Sequence, residues 1–365
     1  YTPPTGAKAI STANLATPTI SDGSAYFQPT LYTGNSSTQE VNQSGNSTFN
    51  PGFVWIKTRS GAASHALFDQ VRGVNKQLVS DDTGAALTSF SDLLTSFDAD
   101  GFSLGADGTV NNVNVNTSTY VAWQWLANGT GSSNSDGSIT STVTANTTAG
   151  FSIVKYTGTK SNATIGHGLG VVPKMIIIKD TTNTESWIVY HEAVGNDGNL
   201  YLNLTNAKAT QAVFQDTTPT SSVFSIGTTD GVNKASAVHI AYCFAEIPGY
   251  SSIRSYTGNG SADGPFVYCG FKPAWLIVKR AVGGTGNWDM FDTKRDIFNP
   301  ADAVLDADSS GAEASYSTID IDFLSNGFKV RGTQSNINTS GDTYIYMAFA
   351  ENPFGGDGIA PGTAR

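Results

Sequence analysis

Apolar residues along the chain come in short runs bounded by Gly, Asn, Asp, Ser and Pro, the pattern of strands separated by turns. No window sustains a helical apolar period, so no long amphipathic helix is expected. A continuous run such as Trp275-Leu276-Ile277-Val278 predicts a central strand covered on both faces. Tyr120, Ala122 and Gln124 alternating with Val121, Trp123 and Trp125 predict a half-buried one.

The runs recur in a fixed order. Tyr32-Thr33-Gly34-Asn35 returns as Tyr156-Thr157-Gly158-Thr159 and as Tyr256-Thr257-Gly258-Asn259. An apolar stretch ending in lysine follows each time, at Lys57, Lys179 and Lys279. Next comes an aromatic pair, in which His65-Ala66-Leu67-Phe68-Asp69, Trp187-Ile188-Val189-Tyr190-His191 and Trp288-Asp289-Met290-Phe291-Asp292 correspond. Each copy closes on an aromatic strand, Tyr120 to Trp125, His239 to Phe244 and Tyr344 to Phe349. A repeated supersecondary unit is the simplest source of such order. The expected fold is all-β, with three tandem β-sandwich domains of about 100 residues each.

The expected boundaries are an extended segment over 1–24 that ends an upstream domain, then sandwiches over 25–127, 151–247 and 248–354. Residues 128–150, nearly all Gly, Ser, Thr, Asn and Asp, read as an extended or strand-exchanging linker. Residues 355–365 read as a loose Gly/Pro-rich tail. A unit of this size buries enough surface to fold alone, so independent domains on a string are expected. The joint at Ile247-Pro248-Gly249-Tyr250 is short, and it predicts a fixed geometry between the second and third units.

Composition supports the β reading and narrows the function. Charged residues are 14% of the chain, against about 25% in ordinary soluble proteins. The net charge of −10 argues against non-specific nucleic-acid binding and against anionic membrane surfaces. Met175-Ile176-Ile177-Ile178 is the longest aliphatic run, far short of the ~20 residues of a membrane-spanning helix. Two cysteines among 365 residues leave burial to hold the fold together.

Candidate chemistry is sparse. Asp306-Ala307-Asp308-Ser309-Ser310-Gly311 has the first half of an EF-hand-type loop, with Asp306, Asp308 and Ser310 as calcium ligands. Asp98-Ala99-Asp100-Gly101 with Asp107 is similar. Solvated turns are the plainer reading of both. His167 reads as a turn residue, His191 as surface variation at a position that is Asp in the sister units, and Cys243 and Cys269 as buried thiols. No pair of acids recommends itself for catalysis, so no enzyme, no catalytic residue and no cofactor beyond a structural calcium is expected. Tyr201, Tyr250, Tyr268 and Tyr316 do not recur between units and are the candidates for a binding rim, with core packing as their alternative.

The landmarks resemble a family of virion structural proteins of marine tailed bacteriophages. The blocks that carry the resemblance are Tyr156 to Gly158, His167 to Pro173, Ile176 to Lys179 and Ala241 to Glu246, with Tyr256 to Asn259, Pro273, Leu276 to Lys279 and Ala348 to Glu351 in the third unit. The first unit departs most, lacking the His-Gly-Leu-Gly block and the Ala-Glu ending. The opening Tyr1 to Ala9 resembles the end of a SPRY (concanavalin-like) domain. The resemblance implies a non-enzymatic tail fibre or receptor-binding appendage in the virion. It also implies partners among other copies of itself (a homotrimer by analogy), other virion proteins and a host-surface glycan or protein, with no nucleic acid and no membrane insertion. Alternatives are a capsid decoration or head-fibre protein, a carbohydrate-binding module array and a cell-surface adhesin or filament subunit. A binding array should expose its recurring aromatics, and a structural protein should bury them.

Overall fold

A computed structural model describes residues 11–107, 113–356 and 362–363. The SPRY-like opening and most of the predicted tail lie outside the described residues. The chain is all-β, and among the described residues no helix is long and apolar enough to cross a membrane.

One four-stranded antiparallel motif appears three times. In the first unit the order is Phe27–Thr33, Thr119–Leu126, Pro51–Thr58, Ala66–Asp69. In the second it is Phe151–Thr157, Val238–Phe244, Met175–Asp180, Ile188–His191. In the third it is Ser251–Thr257, Thr343–Pro353, Phe271–Val282, Trp288–Asp292. Register is kept as well as order. Phe53 pairs with Trp125, Met175 with Phe244 and Trp275 with Phe349. The closing strand of each copy lies between the first strand and the lysine strand, which makes it the middle of the sheet.

Because side chains alternate across a strand, each sheet offers two apolar faces. The outer faces of the first two units meet a small second sheet. In the first unit Val54, Ile56 and Ala122 pack with Val41, Phe102 and Leu104. In the second, Ile176, Ile178 and Ala241 pack with Ile165, Phe224 and Ile226. The third unit has a corresponding second sheet of Phe266–Tyr268, Gly327–Val330 and Ile321–Leu324.

The inner faces pack on one another. Trp125, Phe244 and Phe349, the same position in three units, form a closed triangle with ring centroids 6.4, 6.0 and 5.8 Å apart. Phe53, Phe151, Ile177 and Trp275 join them in one buried cluster spanning all three units. The units are therefore arranged cyclically around a common apolar centre, not strung as separate beads. The closing strand Thr119–Leu126 is buried on both faces, where alternation had suggested a half-buried strand. Its second apolar face is used here, against the other units.

The stretch expected as an extended or strand-exchanging linker supplies strands to the second unit. Ser132–Asn134 and Ser141–Asn146 form a hairpin that pairs with Phe151–Thr157 and extends the second sheet. The short joint between the second and third units is a turn closed by Tyr250 N–H to the Ile247 carbonyl at 3.0 Å. Tyr250 is buried there, its ring 5.8 Å from Tyr26 and 5.6 Å from Phe349.

The Tyr-Thr-Gly landmark marks one more conserved geometry. Tyr32, Tyr156 and Tyr256 donate to the carbonyls of Val113, Val232 and Ile337, each at 2.7 Å. A buried asparagine follows each acceptor. Asn114, Asn233 and Asn338 accept from the backbone N–H of Asn35, Thr159 and Asn259 at 2.9, 2.8 and 2.8 Å. Glycine is required in the turn because a Cβ on Gly34 or Gly258 would sit 2.2 Å from a carbonyl oxygen of Val115 or Thr339.

Candidate functional site

The densest polar chemistry lies at the seams between units, where each unit grips its neighbour with equivalent atoms. His65, Trp187 and Trp288 occupy one repeat position. Trp187 Nε1 donates to the Val79 carbonyl of the first unit at 2.8 Å. Trp288 Nε1 donates to the Tyr201 carbonyl of the second unit at 2.9 Å. His65 does the same job for the Asp306 carbonyl of the third unit at 2.9 Å. Its Nδ1 accepts from Trp55 Nε1 at 2.8 Å, which leaves Nε2 as the protonated nitrogen. Burial, with help from the nearby Lys57 ammonium, lowers the His65 pKa to about 3, so the ring is neutral.

Two residues before each ring, the N–H groups of Ala63, Glu185 and Gly286 donate to the carbonyls of Ser310, Thr83 and Thr205 at 2.8, 2.9 and 2.9 Å. The return bonds run from Glu313, Ala86 and Lys208 to the carbonyls of Arg59, Thr181 and Ala281 at 3.0, 3.0 and 2.8 Å. The repeated lysines complete the grip. Lys57 reaches the carbonyls of Gly311 at 2.7 Å, Thr58 at 3.0 Å and Ser310 at 3.4 Å. Lys179 reaches those of Glu185, Asp180 and Thr83 at 2.8, 2.9 and 3.0 Å. Lys279 reaches Thr205 at 2.8 Å and also Gly286. Burial pulls each ammonium down to a pKa of about 8, while the converging carbonyls favour its charged form.

The acidic loop is the third copy of this seam. Asp81, Asn203 and Asp308 accept from the backbone N–H of His65, Trp187 and Trp288 at 2.9, 3.0 and 2.8 Å. An amide in the middle copy does what the carboxylates do, which marks hydrogen bonding as the common role. Asp306 gives its carbonyl to His65 and its Oδ2 to Asn287 at 2.9 Å. The Ser310 carbonyl faces the Lys57 ammonium. Among the described residues no three His, Cys, Asp or Glu side chains converge as a metal site.

Asp289, which spacing had not singled out, is the cross-strand partner of Asp306. Asp289 Oδ2 and Asp306 Oδ1 are buried without a hydrogen-bond partner. A proton shared between the two carboxyls would satisfy both atoms, and the raised pKa of each is in the direction that favours it. Burial first, and then the Asp306 charge, push the Asp289 carboxyl well above the usual carboxylate range. Asp308 rises to about 6, chiefly through burial.

A second set of polar contacts crosses the other side of each unit. Asp69 binds Arg72 Nε at 2.5 Å and accepts from Tyr242 Oη of the second unit at 2.8 Å. Asp292 binds Arg295 Nε at 2.5 Å and accepts from Trp123 Nε1 of the first unit at 3.0 Å. The corresponding His191 is buried, not on the surface. Its Nδ1 accepts from the Ala193 N–H at 3.2 Å, and Nε2 lies 3.5 Å from the Tyr346 carbonyl of the third unit.

The other sequence candidates stand apart from these clusters. His167 is buried in its turn, with Nε2 3.1 Å from the Thr220 carbonyl. Cys243 and Cys269 are free and buried, and burial lifts both thiols to about 12. Asp98 accepts from Ser96 and Ser103, each at 2.7 Å, and Asp107 from the Val113 N–H at 2.8 Å. Of the non-recurring tyrosines, Tyr268 and Tyr316 are exposed, Tyr201 is partly so, and Tyr250 is core. The sequence carries two further repeat landmarks that supply these seam and turn contacts. One is Leu-x-x-(Asp/Asn)-x-(Thr/Ser) at Leu78, Leu200 and Leu305; the other is the asparagine six residues before Tyr120, His239 and Tyr344.

Fold and seams together define an all-β protein of three cyclically related units, with polar clasps at the unit boundaries. The chain belongs to the family described as a domain of unknown function, DUF7483, which it matches over residues 22–353. That match spans all three units as one block. No curated protein and no solved structure matches the chain.

Proposed function

We propose that the chain is a non-enzymatic virion structural protein of a tailed bacteriophage, a tail fibre or receptor-binding appendage. The observation that carries this reading is the fate of the recurring aromatics. Trp123, Trp125, Tyr242, Phe244 and Phe349 are buried at the common centre or its seams, as a structural protein requires, and form no exposed ladder of the kind a sugar-binding array displays. The histidines and the repeated lysines are likewise committed to carbonyls and neighbouring rings. Such a body is suited to persistence outside a cell. Because the three units already close a ring, one chain supplies the symmetry for which a trimer would use three.

The test is the purified particle. Peptides of this chain should be found by mass spectrometry in phage purified on density gradients, and gold-labelled antibody should decorate the tail. Label on the head instead would establish the capsid-decoration alternative. Absence from particles that carry their other structural proteins would overturn the proposal.

A further inference from the structure

The three seams are built alike, yet their outer grooves carry different charges. At the boundary of the second and third units the place held by Ala86 in the first seam belongs to Lys208, which is paired with Asp197 at 2.6 Å. At the boundary of the third and first units that place belongs to Glu313, paired with Arg59 at 2.8 Å, and a separate groove of this seam contains Lys294 together with Glu351. At the boundary of the first and second units the lining holds Arg72, Lys76 and Lys155 and no carboxylate. Asp69 neutralises Arg72 from beneath, whereas Lys76 and Lys155 form no ion pair among the described residues. In a chain with 30 acidic and 20 basic residues, this groove is an island of opposite sign.

Its walls have a matching chemistry. The groove has a volume of about 480 Å³ and is lined by hydroxyl side chains that include Ser133, Thr142 and Thr182. Ser133 and Thr142 belong to the hairpin of Ser132–Asn134 and Ser141–Asn146, an addition to the repeat. The equivalent first strands of the other two units, Phe27–Thr33 and Ser251–Thr257, end their sheets without one. The added hairpin builds a wall that the core motif does not need. Hydroxyls offer donors and acceptors to a polyhydroxylated ligand, the two lysines offer charge to an anion, and the volume suits a few sugar rings.

We propose that the groove between the first and second units binds an anionic polysaccharide, with Lys76 and Lys155 holding its acidic groups and the threonine-serine walls its hydroxyls. This names a partner class for the appendage proposed above and rests on that reading only for its biological setting. The test uses the full chain and titration calorimetry against polygalacturonate, dextran sulfate and neutral dextran. A Lys76→Glu/Lys155→Glu double variant should bind at least tenfold more weakly, while Lys294→Glu, at the groove of another seam, should bind as the parent does. Far-UV circular dichroism checks that each variant folds. Binding to polygalacturonate or to dextran sulfate, with that pattern, supports the site and tells carboxylate from sulfate. Absence of binding to both anionic polymers, equal binding to neutral dextran, unchanged affinity in the double variant or an equal loss in Lys294→Glu would overturn it. None of these results depends on whether the chain is found in particles.

Discussion

Two of the three seams bury an ion pair, and the third does without one. Asp69 with Arg72 and Asp292 with Arg295 are each almost fully removed from water, and each aspartate takes a further hydrogen bond from a ring of the next unit. At the remaining seam every member has changed together. His191 replaces the aspartate, Val194 the arginine, and Met347, which has no donor, stands at the position of Tyr242 and Trp123. The neutral imidazole keeps the local geometry, because its Nδ1 accepts from the Ala193 N–H as the Asp292 carboxylate accepts from the Lys294 N–H. Burying half of such a set leaves an uncompensated charge, so it is kept whole or lost whole.

That contrast can be broken most forcefully at the third unit. Asp292→Ala removes the nearer carboxylate from the buried Arg295 guanidinium, leaving it Glu313 at 3.2 Å, and takes away the acceptor of Trp123 Nε1. Equilibrium urea unfolding should therefore show a loss of about 3 kcal/mol. Tyr242→Phe removes one hydrogen bond to a charged acceptor and leaves Arg72 in place, so the loss should be about 1.5–3 kcal/mol by the same measurement. The triple variant Asp69→His/Arg72→Val/Tyr242→Met copies the uncharged set into a charged seam. It should be less destabilised than Asp69→Ala alone; a larger loss would show that the two kinds of seam are not interchangeable.

Near neutral pH the smallest effect is a pH dependence. His65 and His191, held neutral by burial with pKa values of about 3 and 4, favour the folded state above the ordinary histidine pKa. That contribution fades as pH falls below about 6.5. Asp289 and Asp308 act in the opposite sense. Their raised pKa values contribute stability that is complete below about 4 and is lost as pH rises, through about 6 for Asp308. Asp289→Asn supplies a permanent donor to Asp306 without a charge. Its stability relative to the parent should therefore rise between pH 5 and 8 in parallel chemical-denaturation curves. A gap that stays constant or shrinks would rule out the shared proton.

Much of the fold was legible because strand order is written in spacing. The Tyr-Thr-Gly turn, the apolar-Lys stretch and the aromatic closing strand all fall where equivalent strands and turns form. What spacing could not convey was the second face of the closing strand. Trp123 and Trp125 look like one side of a half-exposed strand until other units are placed against them. The lysines and Asp308 were similarly ambiguous, because a carbonyl clasp and a calcium loop draw on the same acidic, turn-rich residues. His191 looked like drift because its partners, Val194 and Met347, change with it far apart in the sequence.

The three units form one cooperative body closed around a shared centre. Differential scanning calorimetry of the full chain tests it most directly. A single transition is expected, with calorimetric enthalpy equal to the van 't Hoff enthalpy and with Trp125→Ala lowering the midpoint of the whole transition. Two or three separable transitions, with Trp125→Ala moving only one of them, would contradict it and return the units to independent domains on a string.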